Sequence, residues 1–220
     1  MTICVRNLTE GDIPAVAALF NACFAASVLH HCRGRLPKAA AMEDVFSLVR
    51  RAEAQAAFGV WSENGALLGY CFAPTSLGRL WRIALGRGGV LYWAWRWLKG
   101  DYGIGLWPLR LILVNKLGFI RSALTPGQSA GARILSIAVN ETARGAGCGQ
   151  ALLTTALAYQ KRQGAKKVRL EVRPENRAAL RLYERNGFVP GGKTADSQGD
   201  WLIMWKEMAD KHVGSETAPR

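Results

Sequence analysis

The residues Arg144-Gly145-Ala146-Gly147-Cys148-Gly149-Gln150 place three glycines between a run of apolar β-formers and a helix-like stretch. That pattern suits an anion. Successive backbone N–H groups at the positive end of a helix can cradle a phosphate, and the missing side chains allow close approach. Three phosphate-binding patterns compete for the loop. A P-loop requires Lys-Ser or Lys-Thr after its glycines, and neither follows here. A dinucleotide fingerprint started at Gly145 meets Gly147 but finds Gln150 where its third glycine belongs, and it normally opens a first βα unit. The spacing Arg/Gln-x-x-Gly-x-Gly/Ala is met by Arg144, Gly147 and Gly149. A loop of this type holds a pyrophosphate through its amides, although taken alone it also reads as a tight turn.

The elements that must position this loop follow from periodicity. TICVRNL alternates as a strand, and the stretch from Thr9 to Ala26 carries apolar residues at helical spacing behind a threonine cap. MEDVFSLVRRAEAQ reads as a second helix. Two apolar strands flank Glu63-Asn64-Gly65, a strong hairpin signal. From residue 132 the order is strand (RILSIAVN), glycine loop, helix (QALLTTALAYQKRQG), strand (KKVRLEVR), helix (ENRAALRLYERNG), then FVPGGKT and DWLIMWKEM as closing strands. The alternation predicts an α/β architecture with helices flanking a sheet.

Composition narrows the partners. The 220 residues carry a net charge of +13, which favours an anionic partner: a nucleotide-bearing cofactor, a nucleic acid or a membrane surface. Five scattered cysteines with no C-x-x-C pair suggest neither a disulfide framework nor a zinc knuckle, and fit a reducing cytoplasm. The His30-His31-Cys32 run has adjacent side chains that diverge on a helix, so no metal site is expected. The N-terminal residues lack the pattern of a signal peptide, and no run reaches the ~18 apolar residues of a membrane span.

Residues 75–131 break the β/α rhythm. They hold five of the eight tryptophans, and eight basic residues against one acid, Asp101. VLYWAWRWLKG and WPLRLILVNKLGFIR read as two short amphipathic helices joined by a glycine-rich turn. The segment is compatible with a flap over an acceptor site, a packed helical hairpin, a dimer contact or a peripheral membrane contact. Nucleic acid is the least favoured partner. One domain over 1–208 with this insertion, followed by a flexible tail at 209–220, is the expected organisation.

A second motif lies downstream. Asn176, Ala179, Leu182, Tyr183, Gly187 and Phe188 form Asn-x-x-Ala-x-x-Leu-Tyr-x-x-x-Gly-Phe after the strand LEVR. With the glycine loop in this order and spacing, residues 132–190 resemble the GNAT superfamily of acyl-CoA-dependent N-acetyltransferases, and LEVR with its helix is similar to the ribosomal-protein alanine acetyltransferases. The resemblance implies an α+β fold, a mixed and mostly antiparallel twisted sheet flanked by helices, with the insertion between its third and fourth strands. It also implies acetyl-CoA as co-substrate and no metal. On that basis Arg144, Gly145, Ala146, Gly147, Cys148, Gly149 and Gln150 would bind the pyrophosphate. Ile137, Ala138 and Val139 would pair with the pantetheine arm, and Asn176 would contact it. Tyr183 would lie by the sulfur as general acid, and Glu171 would serve the incoming amine.

Alternatives stand beside these roles. Glu171 reads equally as a strand glutamate paired with Arg169 or Arg173. Tyr183 can be a packed helix aromatic, and Cys148 is a small loop residue with no nearby histidine to activate its thiol. The small alanine acetyltransferases lack the 75–131 insertion, which leaves the acceptor open between a small amine such as an amino sugar and a protein N-terminus or lysine. A non-catalytic acyl-CoA sensor is a further alternative, which the presence of both Tyr183 and Asn176 disfavours.

Overall fold

The computed structural model describes residues 2–32, 34–86, 89–103 and 131–208. The expected helix at 107–121 and the tail at 209–220 lie outside the described residues. Strand β1 (Ile3–Asn7) leads through a 3-10 turn into α1 (Ile13–Cys23), α2 (Ala25–His31) and α3 (Ala39–Ala52). The hairpin β2 (Ala57–Ser62) and β3 (Leu67–Phe72) follows, then α4 (Leu77–Leu85) and α5 (Gly89–Leu98). The chain continues with β4 (Ala132–Arg133), β5 (Ser136–Val139), α6 (Cys148–Arg162), β6 (Lys167–Val172), α7 (Arg177–Arg185), β7 (Val189–Asp196) and β8 (Gly199–Glu207).

The strands form two four-stranded sheets, ordered β1-β2-β3-β5 and β4-β6-β8-β7. All described pairings are antiparallel except β4 with β6. Two apolar layers cover opposite faces. On one face α6 lays Leu152, Leu153, Ala156 and Leu157 against Phe58, Val60, Cys71, Val168 and Leu170. On the other, α1 and α3 bring Val16, Leu19, Phe46 and Val49 against Ala57, Trp61, Tyr70, Phe72 and Ala138.

Three elements differ from the periodicity. The helix expected over 9–26 breaks at Phe24 (φ −120°, ψ 20°), bending α2 by 84° from the helix before it. Phe20 and Phe24 pack across the break, ring centroids 4.9 Å apart and planes tilted by 37°, so apolar spacing continues while the axis turns. The strand expected over 133–140 is divided between the two sheets. Helix α4 gives no clear sequence signal, because Gly78 lies in its first turn and Gly86 follows its last residue. It is held by tertiary contacts: Ala84 is buried, Leu80 packs on the α1/α3 layer, and Arg79 reaches Glu53 at 3.5 Å.

Candidate active site

The division of the 132–140 strand creates an opening. Ala132 and Arg133 pair in parallel with Val168 and Arg169, and the Ile134 N–H still donates to the Arg169 carbonyl. Beyond that point, among the described residues, β5 bonds only β3, while β6 bonds only β8. Side-chain parity slips at the same place. Ala132, Ile134, Ile137 and Val139 all face the α6 layer, which requires one extra residue between 134 and 137. The bulge turns β5 away from β6 and, among the described residues, leaves each strand without a backbone partner on its facing edge, where Cys23 Sγ reaches the Val139 carbonyl at 3.6 Å. Because Asn140 N–H is committed to the Leu68 carbonyl of β3, the alternation of an antiparallel ladder directs the N–H and C=O groups of Ile137 and Val139 into the opening.

The glycine loop closes the mouth of that opening. Asn140 Oδ1 accepts from the Thr142 amide (3.1 Å) and starts a 3-10 turn at Glu141–Ala143, after which the exposed Arg144 reaches Glu141 at 3.3 Å. Gly145 (φ 84°) and Gly147 (φ 81°) hold left-handed backbone, and no atom lies within 4 Å of where a Cβ would be. A side chain would strain the backbone and fill the space above the loop. Gly147 is the N-cap of α6, so the first-turn N–H groups of Cys148, Gly149 and Gln150 have no acceptor within the helix. A Cβ on Gly149 would touch Leu182 Cδ2 at 3.4 Å and Val139 Cγ2 at 3.8 Å, so this glycine brings the helix terminus beside β5. The Gln150 side chain is occupied with Thr154 and Asn186, leaving its backbone as the free contribution. Cys148 is buried and burial pushes its thiol up, which suits packing rather than nucleophilic chemistry. A cavity of about 360 Å³ beside Thr75, Gly131, Gly164 and Lys166 lies at the far end of α6 from this loop.

Helix α7 sets Tyr183 by its own terminal chemistry. Asn176 Oδ1 caps the helix by accepting from the Ala179 amide at 3.1 Å. At the other end Gly187 (φ 79°) donates to the Glu184 carbonyl and Phe188 to the Tyr183 carbonyl, the two bonds of a Schellman motif. The apolar contact of that motif is Phe188 against the Tyr183 ring, centroids 5.8 Å apart. Gly-Phe after Leu-Tyr therefore fixes the tyrosine, which is only 5 % exposed and whose hydroxyl is pushed upward by burial. Tyr183 belongs to the α6 layer, together with Val168, Leu170 and Val172 of β6. Glu171, between Leu170 and Val172, faces the opposite side of the sheet. Its Oε1 accepts from Arg169 Nη2 at 2.7 Å and from Arg133 Nη1 at 3.5 Å, the strand pairing that its sequence position also allowed. Phenol and carboxylate thus flank the sheet from opposite faces.

The Acetyltransferase (GNAT) family model matches residues 14–188. The chain belongs to the GNAT family. Two curated relatives match shorter stretches. A Bacillus subtilis (strain 168) protein, whose name provisionally describes a ribosomal-protein alanine N-acetyltransferase, is 37% identical over 78 residues, covering 34% of this chain and 52% of the relative. The mycothiol acetyltransferase of Geodermatophilus obscurus is 39% identical over 63 residues, 29% of this chain and 20% of that protein. The chain thus spans about half the length of the first and a fifth of the second. Among solved structures, a histone acetyltransferase HPA2-related protein of Corynebacterium glutamicum superposes with a TM-score of 0.61 at 21% identity, covering 97% of this chain and all of that one. The ribosomal-protein alanine N-acetyltransferase of Escherichia coli gives 0.51 at 17% identity, with coverage of 97% and 99%. A chain of the NatC complex, solved with a Gag peptide and CoA, gives 0.58 at 16% identity, with coverage of 95% and 100%. These structural likenesses establish the fold.

Within this GNAT fold, two polar groups on the Glu171 side escaped sequence reasoning. Tyr70, fully buried on β3, shares a 3.0 Å hydrogen bond between its hydroxyl and that of Ser136, at the start of the open β5 edge. A strand tyrosine and a strand serine 66 residues apart carry no spacing signal. The second group joins the bent α2 to the β7–β8 turn. Ser27 donates to Gln198 (2.6 Å), His30 contacts Ser197 (3.2 Å), and His31 stands 4.0 Å from Asp196. Burial lowers the His31 pKa, with Asp196 opposing, so the ring favours its neutral form. Burial works against the Asp196 carboxylate, but hydrogen bonds from Trp201, the Gln198 amide and Arg173 hold its pKa below the usual range. Arg173 lies over the Trp201 ring at 3.9 Å, completing a polar wall beside the opening.

Proposed function

We propose that this chain transfers the acetyl group of acetyl-CoA directly to a primary amine, with both substrates bound at once. The observation that carries the reading is the alignment of the open β5 edge with the glycine loop and the N-terminus of α6. The residues fit the coenzyme. Left-handed Gly145 and Gly147, with clear space above them, leave backbone N–H groups for a pyrophosphate, and Arg144 adds a charge at the mouth. Ile137 and Val139 offer a strand edge to an extended amide-bearing arm, and Asn176, whose Oδ1 caps α7, would meet that arm through its side-chain amide. The chain's net charge of +13 favours capture of an anionic co-substrate.

Acetyl-CoA supplies an activated thioester. The chain's residues must then manage two protons. An attacking amine needs to be neutral, yet an α-amine has a pKa of about 8 and a lysine about 10.4. Glu171 Oε2, on the acceptor face, takes the amine proton directly or through water. The Arg169 and Arg133 contacts to Oε1 orient the carboxylate for this. On the other face the Tyr183 hydroxyl donates to the departing sulfur. A thiol has a pKa of about 8.5 and an ordinary tyrosine about 10, so full transfer is uphill by roughly 2 kcal/mol. Burial widens that gap. Tyr183 therefore acts as a fixed hydrogen-bond donor through the transition state rather than as an early proton source.

The acceptor proposed is a small primary amine such as an amino sugar, taken on the face lined by Ser136, Glu171 and the α2/β7–β8 wall. The matched stretch of the Bacillus relative favours a protein N-terminus as the second reading. Thiol release from acetyl-CoA, measured with small amines, amino sugars and N-terminal peptides, tests both. Turnover confined to one class names the acceptor. Tight acetyl-CoA binding with no turnover on any class would replace the enzyme by a sensor.

A further inference from the structure

Six of the ten large hydrophobic side chains that stand exposed among the described residues lie on α4 and α5: Leu85 (67%), Val90 (49%), Leu91 (75%), Tyr92 (45%), Trp95 (52%) and Leu98 (84%). On α5, Leu91, Trp95 and Leu98 repeat at i, i+4 and i+7 and form one outward stripe. The opposite face of the same helix is pinned. Arg96 binds Asp44 of α3 (2.7 Å) and Asp101 (3.0 Å), Trp97 packs edge-on against Tyr102 at 5.8 Å, and the Tyr102 hydroxyl donates to Asp44 at 2.6 Å. The helix is thus held in orientation by charges already paired, while its apolar side has no cover among the described residues. An exposed apolar patch of this kind on a protein surface calls for an occupant.

We propose that this face seats the protein on an anionic lipid surface. Charge decides between occupants. Among the described residues of this face Arg82 and Lys99 are exposed cations, and the whole chain carries +13, so a second copy approaching through this face meets like charge. An anionic bilayer meets opposite charge. Lys99 holds its ammonium 3.7 Å from the Trp95 ring centre, a cation at the rim of the apolar stripe, and the exposed Arg82 lies on the preceding helix. Apolar stripe, interfacial tryptophan and tyrosine, and basic rim are the composition of a helix that lies in the headgroup plane. Among the described residues no single helix is long and apolar enough to cross a membrane, and a peripheral contact is the one proposed. Since α5 is anchored through Asp44 to α3, which with α1 covers the acceptor face of the sheet, the lipid would lie beside that face.

Flotation of the full chain with phosphatidylglycerol-rich vesicles, and with phosphatidylcholine vesicles as control, tests the proposal without relying on catalysis. The chain is expected to float with the anionic vesicles only, and to be released by salt. A Leu91→Ser/Trp95→Ser/Leu98→Ser variant is expected to lose at least about tenfold in vesicle affinity. An Arg82→Glu/Lys99→Glu variant is expected to lose at least about 25-fold, from roughly fivefold for each basic residue at an anionic surface. Both variants keep wild-type acetyl-CoA binding, which shows that they are folded. The proposal is overturned if the wild type does not float with anionic vesicles, if neither variant weakens flotation, or if the wild type dimerises or binds RNA through this face while ignoring lipid.

Discussion

Replacing Tyr183 by phenylalanine removes one hydroxyl and leaves nearly everything else. The two Schellman bonds at the end of α7 are backbone bonds, and the ring contact with Phe188 involves no oxygen. The cost to stability is therefore within about 1 kcal/mol. The cost to catalysis is larger if the hydroxyl donates to the sulfur as charge develops there. A hydrogen bond to a charged acceptor contributes about 1.5–3 kcal/mol, which corresponds to roughly a 10- to 150-fold fall in kcat. The acetyl-CoA KM should move by less than about threefold, because the interaction strengthens only in the transition state. Burial pushes this phenol above its ordinary pKa. Its proton therefore stays in place across the usual assay range, and the wild type should show no alkaline loss of kcat from Tyr183 up to about pH 10. Steady-state thiol release from pH 6 to about 10, run on both proteins with thermal denaturation as a folding control, supplies every quantity. A fall in kcat of less than about twofold would refute the donor role, since uniform packing would then be all that Tyr183 provides. An alkaline limb near pH 9 in the wild type that vanishes in the variant would refute the effect of burial on its proton.

Glu171→Gln keeps the shape of the Arg169 and Arg133 contacts but removes the base, so kcat/KM should fall by about 100-fold or more in the same assay. A change under threefold would leave Glu171 as an ion-pair residue only. Tyr159→Phe removes the 2.7 Å bond from a buried hydroxyl to Glu53, which also accepts from Thr75 at the root of α4. Calorimetry should record a loss of about 1.5–2 kcal/mol, or roughly 3–8 °C in Tm. Arg6 hydrogen bonding, against burial and with help from Thr9, holds the Asp12 carboxyl at about 2, below the ordinary 3.8. A lowered folded pKa stabilises above the unfolded value, and that contribution is lost as pH falls from 3.8 through about 2. With Arg6 half exposed, Asp12→Asn should cost about 1 kcal/mol in urea titrations at pH 7, and the gap between the two proteins should close toward pH 2.

Local chemistry made much of the site legible. Glycines 145, 147 and 187 are recognisable because each holds left-handed backbone that disfavours a side chain, and Asn176 because a helix cap needs its oxygen. The Gly-Phe pair after Leu182-Tyr183 carries its own meaning: a left-handed stop and a ring to pack on Tyr183. What sequence periodicity could not convey depends on long-range pairing. The break between Ile134 and Ser136 is set by which neighbour each half of the strand finds. The approach of β3 to β5 at Gly69, where a Cβ would lie 2.8 Å from the Ala138 carbonyl, gives no pattern along the chain. The Tyr70–Ser136 pair and the contact of α2 with the β7–β8 turn join residues 66 and more than 160 positions apart. The bend at Phe24, which enables that second contact, hides under uninterrupted apolar spacing.

Isothermal titration of acetyl-CoA into the wild type and a Gly147→Ala variant tests the central claim, that the β5 edge and the α6 terminus hold the coenzyme. Saturable binding near one per chain is expected in the wild type. The added methyl group on left-handed backbone should weaken it by about tenfold, on the order of the strain and lost approach at such a position. No binding to the wild type, or equal affinity in a folded variant, would contradict the assignment of the loop.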